Sequence, residues 1–354
     1  MNIGIAGAGL MGRLLAWQLA KAGYAVSVFD KDTKAGANSA AYAAAAMLAP
    51  LSESVSCEQE IIDWGLQGLE HWPLILEALE QDSGQSVEFG RGGSIAVAHN
   101  LDSASLRHFD AQLQGKLTDY SAQVVSLNRH LLVDLEPQLG QHFSGGLWLK
   151  DEGYLDNRAL LFSLQKALEN YGVKINFDTE INSVSAGCIT LNAGVRNFDL
   201  VIDTRGIGAK KELAGLRGVR GEIIRVHAPE VSLSRPVRLM HPRYQLYISP
   251  RKGNHYVIGA TEIESESVAA VTVRSTMELL SALYSVHSGF AEARIESSIA
   301  QLRPAFTDNM PQINFSEGLL SVNGLYRHGY LLAPVMLEQS LAKLGISSLA
   351  RKVA

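Results

Sequence analysis

The pattern of apolar residues begins with a short continuous run that predicts a buried strand from Asn2 to Ala6. Apolar residues then recur at helical spacing through positions 14–22, and Gly23 predicts the end of this helix. A second apolar run, from Ala25 to Phe29, predicts another strand. A strand, a helix and a second strand in this order are typical of the first unit of a parallel α/β sheet.

Helical and period-two patterns continue along the rest of the chain. Helical spacing predicts two further long helices, one over 57–80 with an interruption near Trp72 and Pro73, and one over 157–171. Apolar or alternating runs predict strands at 198–202, 222–226, 247–257 and, followed by a last helix, within 319–345. The alternating strands indicate an antiparallel sheet in addition to the parallel one.

A glycine-rich turn joins the first predicted strand to the first helix. Gly7 permits a tight turn, Gly9 lets the backbone approach a pyrophosphate, and Gly12 lets the helix pack closely on the strand. Asp30 follows Gly12 by 18 residues, where its carboxylate can bind both ribose hydroxyls and would repel the 2′-phosphate of NADP. We therefore predict a dinucleotide site, with a ligand-free α/β core as the alternative. The turn alone does not distinguish FAD from NAD.

Composition narrows the class of protein. The chain has 354 residues, enough for two domains, with 47% hydrophobic and 19% charged residues. A net charge of −5 without a run of five like charges argues against a nucleic-acid partner. Cys57 and Cys188 have no metal or redox spacing, which favours a reducing compartment. No basic leader or membrane-length apolar stretch is present, so we expect a cytoplasmic protein that does not bind membranes.

The segment at positions 43–50 is rich in alanine and ends in Met47, Leu48, Ala49 and Pro50. Small side chains let a backbone lie flat against a bulky planar ligand, and an alanine-rich helix packed in the core is the alternative interpretation. No HExxH, GxSxG or metal-ligand spacing is found, so we expect neither a hydrolase nor a metal site.

Several motifs carry a resemblance to a known family: the alanine run with Met47-Leu48, the segment 218–222, Leu302-Arg303-Pro304 and the loop 324–329. With them the chain resembles the amino-acid-oxidase branch of flavoproteins, in particular the glycine oxidases of thiamine biosynthesis. The resemblance implies an α/β fold with an FAD-binding Rossmann-like domain of the glutathione-reductase type and a substrate domain with an antiparallel sheet. It places the FAD-binding domain at 1–85, 145–217 and 300–354, and the substrate-binding domain at 86–144 and 218–299.

The same resemblance assigns site residues. It implies that Arg303 binds the substrate carboxylate, that Tyr247 adds a hydrogen bond to it, and that Arg327 lies beside the flavin pyrimidine. An arginine suits the first role because its planar fork can make two parallel charge-assisted hydrogen bonds. The implied cofactor-binding residues are Gly7, Gly9, Leu10, Met11, Gly12, Asp30, Lys31, Ala46, Met47, Leu48, Ile181, Gly206, Leu325, Tyr326, Arg327, His328, Gly329, Tyr330 and Leu331.

Two residues depart from the family pattern. Glu262 stands where glycine oxidases can carry an apolar pocket residue, so it could attract an amine, admit a larger cationic substrate or face solvent. Arg205 replaces a smaller residue in the turn that leads towards the flavin. Both leave the identity of the substrate open.

The function implied is FAD-dependent oxidation of glycine, sarcosine or a small D-amino acid by hydride transfer to flavin N5. The products would be an imine, hydrolysed to a keto acid, and hydrogen peroxide, with oxygen as the electron acceptor. FAD would be bound non-covalently, because no cysteine follows Cys188. The alternatives are a dehydrogenase that reduces a quinone or partner protein, a non-catalytic flavin-binding protein, and an NAD-dependent dehydrogenase. A homo-oligomer is also expected.

Overall fold

The computed structural model of the chain describes residues 1–34, 36–243 and 245–346, with only the backbone of Gln245. Its strands are β1 Asn2–Ala6, β2 Ala25–Phe29, β3 Met47–Leu48, β4 Phe89–Gly90, β5 Ser94–Val97, β6 Val124–Asn128, β7 Gly145–Leu149, β8 Gly153–Leu155, β9 Lys174–Asn176, β10 Ile181–Ser185, β11 Cys188–Leu191, β12 Gly194–Asn197, β13 Leu200–Asp203, β14 Arg217–His227, β15 Val237–Met240, β16 Gln245–Arg251, β17 His255–Gly259, β18 Arg294–Ala305, β19 Gln312–Ser316 and β20 Leu319–Asn323. Its helices are α1 Leu10–Lys21, α2 Ala40–Ala43, α3 Pro50–Glu53, α4 Gln59–Ser83, α5 Ser103–Lys116, α6 Tyr120–Gln123, α7 Arg129–Leu135, α8 Asn157–Asn170, α9 Val273–Val286 and α10 Gly329–Lys343. Within these described ranges, none of the helices has the length and apolar character needed to cross a bilayer.

The first sheet contains the strand–helix–strand unit at the start of the chain. Its strand order is β19-β20-β13-β1-β2-β9, and β1 is parallel to both β2 and β13. In the register of this sheet, Ile3 lies between Val26 and Leu200. Only the edge strand β19 is antiparallel to its neighbour β20 among the pairs of this sheet. The predicted parallel α/β sheet is thus confirmed.

Four helices cover this sheet and form the larger hydrophobic core. The apolar face of α1 buries Leu14, Leu15 and Leu19 completely, as its helical periodicity predicts. Helices α4, α8 and α10 contribute the other buried side chains of the same cluster. Burial of each such leucine stabilises the fold by about 1.5–3 kcal/mol. The core therefore fixes the position of α1, the helix that follows the glycine turn.

Helix α4 differs from the prediction of an interruption near Trp72 and Pro73. The helix runs without a break from Gln59 to Ser83, with Pro73 inside it. Proline removes one N–H from the helical ladder, but the buried contacts on either side offset that loss. Trp72 is fully buried, and its indole Nε1 donates a hydrogen bond to the Tyr330 carbonyl of α10 at 2.9 Å.

The second sheet is mainly antiparallel and has the strand order β18-β14-β17-β16-β15-β5-β7-β6. The long strand β14 pairs antiparallel with β17 and β18, whereas β15 and β5 form a parallel pair. The predicted strand at 247–257 is a hairpin, because β16 ends at Arg251 and β17 begins at His255. A second hydrophobic cluster lies between this sheet and α9. The two sheets together confirm the predicted fold class.

The domain boundaries stay a prediction. The strand pairing suggests that two of these boundaries should be moved. Residues 145–149 were expected in the cofactor domain, but β7 pairs with β5 and β6 of the second sheet. Strand β18 pairs with β14 from Arg294 to Ala305, across the expected boundary at residue 300. Because one strand cannot change domains without breaking its ladder, we propose boundaries after residues 149 and 305.

Candidate active site

The glycine turn between β1 and α1 has the geometry of an anion-binding loop. A Cβ on Gly12 would lie 1.8 Å from the Gly7 carbonyl oxygen, so the helix could not approach the turn with any other residue there. Gly7 has φ +100°, which favours glycine. A Cβ on Gly9 would meet no atom within 4 Å, and no side chain caps the helix that begins at Leu10. The turn therefore presents open space and free N–H groups to a phosphate.

Asp30 lies at the end of β2, beside this turn. Its carboxylate accepts hydrogen bonds from the backbone N–H groups of Ala8 and Asp32. An ionised carboxylate has about four lone-pair sites, so acceptor capacity for a ribose remains. Lys31, the next residue, is exposed.

Arg13, a residue of α1, binds the glycine turn through its side chain. It was not identified from the sequence. Its buried guanidinium donates to the carbonyls of Ala8 at 2.7 Å and Leu161 at 2.9 Å. Burial is the main cause that lowers its pKa, and the charge of Asp30 opposes that shift. The side chain thus ties α1, the glycine turn and α8 together.

The alanine segment is extended over much of its length, in contrast to the alternative of a packed alanine helix. The short helix α2 ends at Ala43, and Met47 and Leu48 form β3, which pairs with β8. Ala46 has φ +49°, a left-handed conformation that few residues other than glycine adopt. Ala45 packs against Ile223 and Val257 of the second sheet. The segment therefore carries a small-residue surface between the two sheets.

The loop before α10 approaches the alanine segment. Tyr326 has φ +50°, and α10 begins at Gly329 without a side-chain cap. The Tyr330 hydroxyl donates to the Ala41 carbonyl at 2.9 Å, which joins the first turn of α10 to α2. Free N–H groups and the positive end of a helix dipole are thus available at this position.

Tyr247 and Arg303 lie on the second sheet. Tyr247 is opposite Gly259 in the β16–β17 ladder, and a Cβ on Gly259 would lie 2.6 Å from the tyrosine hydroxyl. The Arg303 guanidinium lies over Gly221 and donates from both terminal nitrogens to the Thr261 carbonyl, each at 3.1 Å. Burial raises the pKa of Tyr247, and the positive charge of Arg303 opposes this shift.

Arg327 belongs to a cluster of opposite charges at the entrance to α10. Its Nε lies 2.6 Å from Oε2 of Glu53, and its Nη1 lies 2.8 Å from Oε2 of Glu262. Glu53 also accepts a hydrogen bond from Nη2 of Arg238 at 2.7 Å. Glu262 accepts a further bond from the Tyr326 hydroxyl at 2.6 Å. We call these residues the Glu53 cluster: Glu53, Arg238, Glu262, Tyr326 and Arg327.

Ionisation within the Glu53 cluster follows from its pairing. Burial opposes ionisation of Glu53, but the charges of Arg327 and Arg238 outweigh it and lower its pKa to about 2. The charge of Glu53 is in turn the main cause that raises the pKa of Arg327. Burial lowers the pKa of the neighbouring His328 to about 4, so this imidazole is neutral at pH 7. The cluster contains two arginines and two glutamates and is electrically balanced.

The two residues that depart from the family pattern both form ion pairs. Glu262 is bound by Arg327 and Tyr326, as described, although nearly half of its side chain remains exposed. Arg205 is buried and pairs with Asp203 at 2.7 Å and with Glu212 at 3.2 Å. The Arg205 charge is therefore compensated by two carboxylates that lie close to it in the chain.

The remaining predicted cofactor residues fall into two groups. Side chains of the first group are buried in the main core, so only their backbones could contact a ligand: Leu10, Met11, Leu48, Leu325 and Leu331. Gly206, with φ +55°, accepts a hydrogen bond from Asn323 at the end of β20. Ile181 packs beside Phe29 and Val201, close to the end of β2.

A cavity of about 460 Å³ borders the Glu53 cluster. Its lining includes Arg238 and Arg327, together with Ser52, His108 and His241. Since Leu246 also lines the cavity, it ends beside the strand that carries Tyr247.

Neither Glu53 nor Arg238 was identified from the sequence. Arg238 lies directly across the β15–β16 ladder from Tyr247, so the two side chains share a face of the sheet. That register was not visible before the strand pairing was known. Glu53 follows the alanine segment in the short helix α3, and nothing local in the sequence indicates that it pairs with two arginines.

Comparisons with known proteins show which proteins this chain is similar to. A family model described as FAD dependent oxidoreductase (DAO) matches residues 2–337. A Rhizobium etli protein that carries the name thiamine biosynthesis oxidoreductase ThiO is 36% identical over 336 residues, covering 95% of this chain and 94% of the relative.

Solved structures show the same fold. Glycine oxidase from Geobacillus kaustophilus superimposes with a TM-score of 0.82 at 26% identity, covering 99% of this chain and 94% of that protein. Iminodiacetate oxidase from a Chelativorans species superimposes with a TM-score of 0.81 at 21% identity, over 98% of this chain and 96% of that protein. The second likeness is a likeness of fold alone.

Proposed function

The chain belongs to the DAO family of FAD-dependent oxidoreductases, and from that premise we propose that it oxidises a small amino acid or secondary amine. The proposed substrate is glycine, sarcosine or a small D-amino acid, and the proposed anchor for its carboxylate is Arg303. One observation carries this proposal. Among the described residues, Arg303 donates only to backbone carbonyls, whereas Arg327 and Arg238 face carboxylates.

Charge balance supports this choice of anchor. The two arginines of the Glu53 cluster are matched by Glu53 and Glu262, so an added anion would have to compete with carboxylates already in place. Arg303 has no such competitor among the described residues, and its positive charge favours an anion beside Tyr247. A bidentate carboxylate contact is stronger than the present contacts with a neutral carbonyl.

The residues of the site fit FAD as the cofactor. The open space at Gly9 and the uncapped N-terminus of α1 suit a pyrophosphate, and Asp30 suits an unphosphorylated ribose. The small side chains of Ala45 and Ala46 would let the backbone of this segment lie close to a flat ring system. When bound, FAD supplies the acceptor for the hydride that leaves the substrate Cα.

The protein's own residues then position the substrate. The Arg303 fork holds both carboxylate oxygens, and the Tyr247 hydroxyl donates a further hydrogen bond to one of them. Because burial raises the pKa of Tyr247, its hydroxyl keeps its proton at neutral pH. Holding the carboxylate at several points fixes the direction of the amine and the Cα–H bond. We assign the free N-terminus of α10 to stabilising the negative charge that the cofactor gains.

For glycine the overall reaction would be glycine, oxygen and water giving glyoxylate, ammonia and hydrogen peroxide. The substrate would enter through the cavity beside Arg238 and Arg327. Oxygen as the acceptor is part of the proposal, and a quinone or protein acceptor is the alternative. The ratio of peroxide formed to glycine consumed distinguishes them: a ratio near one supports an oxidase, and dye reduction without peroxide supports a dehydrogenase.

The proposal is tested by mixing the yellow holoenzyme anaerobically with glycine, sarcosine and D-alanine. We expect the flavin absorbance to bleach with at least one of them, and the bleaching to be lost in Arg303→Ala. An Arg217→Gln variant, which removes a half-buried arginine paired with the exposed Glu264, serves as the control and should bleach normally. Absence of bleaching with every small amino acid would contradict the proposal and favour a flavin-binding protein without this activity.

A further inference from the structure

A second group of arginines lies away from the candidate active site. Arg225 of β14 and Arg251 of β16 line a cavity of about 240 Å³, whose rim includes Lys252 and His255. The cavity also borders the start of α8 at Asp156. It shares no lining residue with the larger cavity beside Arg327.

The two cavity arginines are buried but have no carboxylate partner among the described residues. Arg225 donates from Nη2 to the Asn157 side-chain oxygen at 2.7 Å, and its Nε is buried without an acceptor. Arg251 donates to Ser249 Oγ, to the Pro250 carbonyl and to the Ala45 carbonyl, and its Nε also lacks an acceptor. Every acceptor that they use is electrically neutral, so neither positive charge is compensated by an ion pair.

The carboxylates that line the same cavity are bound elsewhere. Glu88 accepts from the backbone N–H of Lys252 at 2.9 Å, and Glu296 pairs with His255 at 3.0 Å. Asp156 accepts from the first N–H groups of α8. Each of these carboxylates therefore has a partner of its own, and none of them forms an ion pair with Arg225 or Arg251.

A third guanidinium adds positive charge behind the cavity. Arg158 lies over the Tyr42 ring at 4.2 Å, and its Nε is buried without an acceptor. Burial, followed by the charges of Arg158 and Arg251, lowers the pKa of Arg225 to about 10. The charge of Asp156 opposes this shift, and a bound anion would reduce the repulsion between the arginines further.

We propose that this cavity binds a phosphate group, either inorganic phosphate or the phosphate of a small ester, through Arg225 and Arg251 with Lys252 at the mouth. A phosphate dianion suits the site better than a single carboxylate, because neither Arg225 nor Arg251 forms an ion pair and a dianion can bind both guanidinium groups. Guanidinium groups match the oxygens of phosphate with paired hydrogen bonds. The proposal does not depend on the reaction at Arg303.

The experiment measures binding of inorganic phosphate to the FAD-loaded holoenzyme by calorimetry, at constant ionic strength set with sodium chloride. Loaded FAD keeps phosphate out of the glycine turn. We expect saturable binding that weakens at least about tenfold in Arg225→Gln and about threefold in Lys252→Gln. Arg217→Gln removes an arginine outside this cavity and should bind phosphate as the wild type does.

Lys252→Gln keeps the test decisive if Arg225→Gln does not fold, because Lys252 is exposed. Methyl phosphate distinguishes the two sources of the group: equal or tighter binding supports a phosphate ester, and binding of inorganic phosphate alone supports the free ion. The proposal is overturned if the wild type binds no phosphate beyond the chloride control. It is also overturned if Lys252→Gln and any folded Arg225→Gln bind phosphate with unchanged affinity.

Discussion

Two arginines of the candidate active site have opposite surroundings. Arg327 lies between two carboxylates at 2.6 and 2.8 Å, at the entrance to α10. Arg303 lies on the second sheet and donates hydrogen bonds from both terminal nitrogens to the neutral carbonyl of Thr261. The residue type is the same, but only one of the two charges is already neutralised.

This contrast distinguishes an arginine that stabilises the structure from an arginine that could bind an anion. A balanced cluster such as the one around Glu53 fixes the loop before α10, and it has little affinity left for an incoming carboxylate. A guanidinium without an anionic partner keeps that affinity, because a bound substrate carboxylate would neutralise its charge. The following variants test whether the two arginines differ in this way.

Arg303→Ala should have the largest effect on catalysis. Loss of a buried charge-assisted contact costs about 3–4 kcal/mol, which corresponds to a fall in kcat/KM for glycine of roughly 10²–10³-fold. Steady-state kinetics with the best small substrate measures this fall. Flavin absorbance should remain, and Arg303→Lys should recover part of the activity. A loss of less than about threefold would remove Arg303 from the substrate site.

Glu53→Gln should mainly affect stability, because it leaves Arg327 and Arg238 with one carboxylate fewer. The pKa of Glu53 in the folded protein is about 2, below its ordinary value of 4.5. A shift of this size corresponds to roughly 3 kcal/mol of unfolding free energy at pH 7. This contribution is present above pH 4.5 and is lost as the pH falls towards 2.

Urea unfolding of both proteins between about pH 3 and pH 8 measures this difference. The gap between wild type and Glu53→Gln should be largest at neutral pH and should narrow below about pH 4.5. Glu264→Gln, at an exposed carboxylate, is the control and should change stability little. A gap that stays constant with pH would contradict the assigned ionisation of Glu53.

Tyr247→Phe tests the hydrogen bond that supports Arg303. A bond to a charged group contributes about 1.5 kcal/mol, so KM for glycine should rise about tenfold with little change in kcat. Tyr284→Phe, on the exposed surface of α9, is the matched control. A fall in kcat with unchanged KM would instead assign the tyrosine to the chemical step.

Glu262→Gln should have the smallest effect. Its carboxylate is partly exposed and Arg327 keeps Glu53, so we expect kcat/KM for glycine to change less than about threefold. Competition kinetics with neutral and cationic amines provide the comparison. A selective loss of cationic substrates would show that Glu262 binds the amine and is not merely a partner of Arg327.

The strand–helix–strand unit at the start of the chain was largely predictable from the sequence, since its signals are local. Gly7, Gly9, Gly12 and Asp30 lie within one strand–helix–strand unit, whose backbone geometry follows from short-range rules. The interruption expected in α4 failed because tertiary contacts of Trp72 outweigh the local preference of proline.

The proposed substrate site depends on contacts between distant parts of the chain. Arg303 meets Thr261, Arg238 meets Glu53, and Arg327 meets both Glu53 and Glu262, each across many residues. Periodicity indicates that such residues lie on strands or loops, but it does not indicate which charges meet. The difference in charge pairing between Arg327 and Arg303 could therefore be obtained only from the folded chain.

The most direct test of the central claim is the affinity of acetate for the oxidised holoenzyme. Acetate carries the substrate's carboxylate but has no amine to oxidise, and its binding can be followed as a perturbation of the flavin spectrum. Our account expects the acetate Kd to rise at least about tenfold in Arg303→Ala and to stay unchanged in Arg217→Gln. An unchanged Kd in Arg303→Ala would show that the carboxylate is held elsewhere.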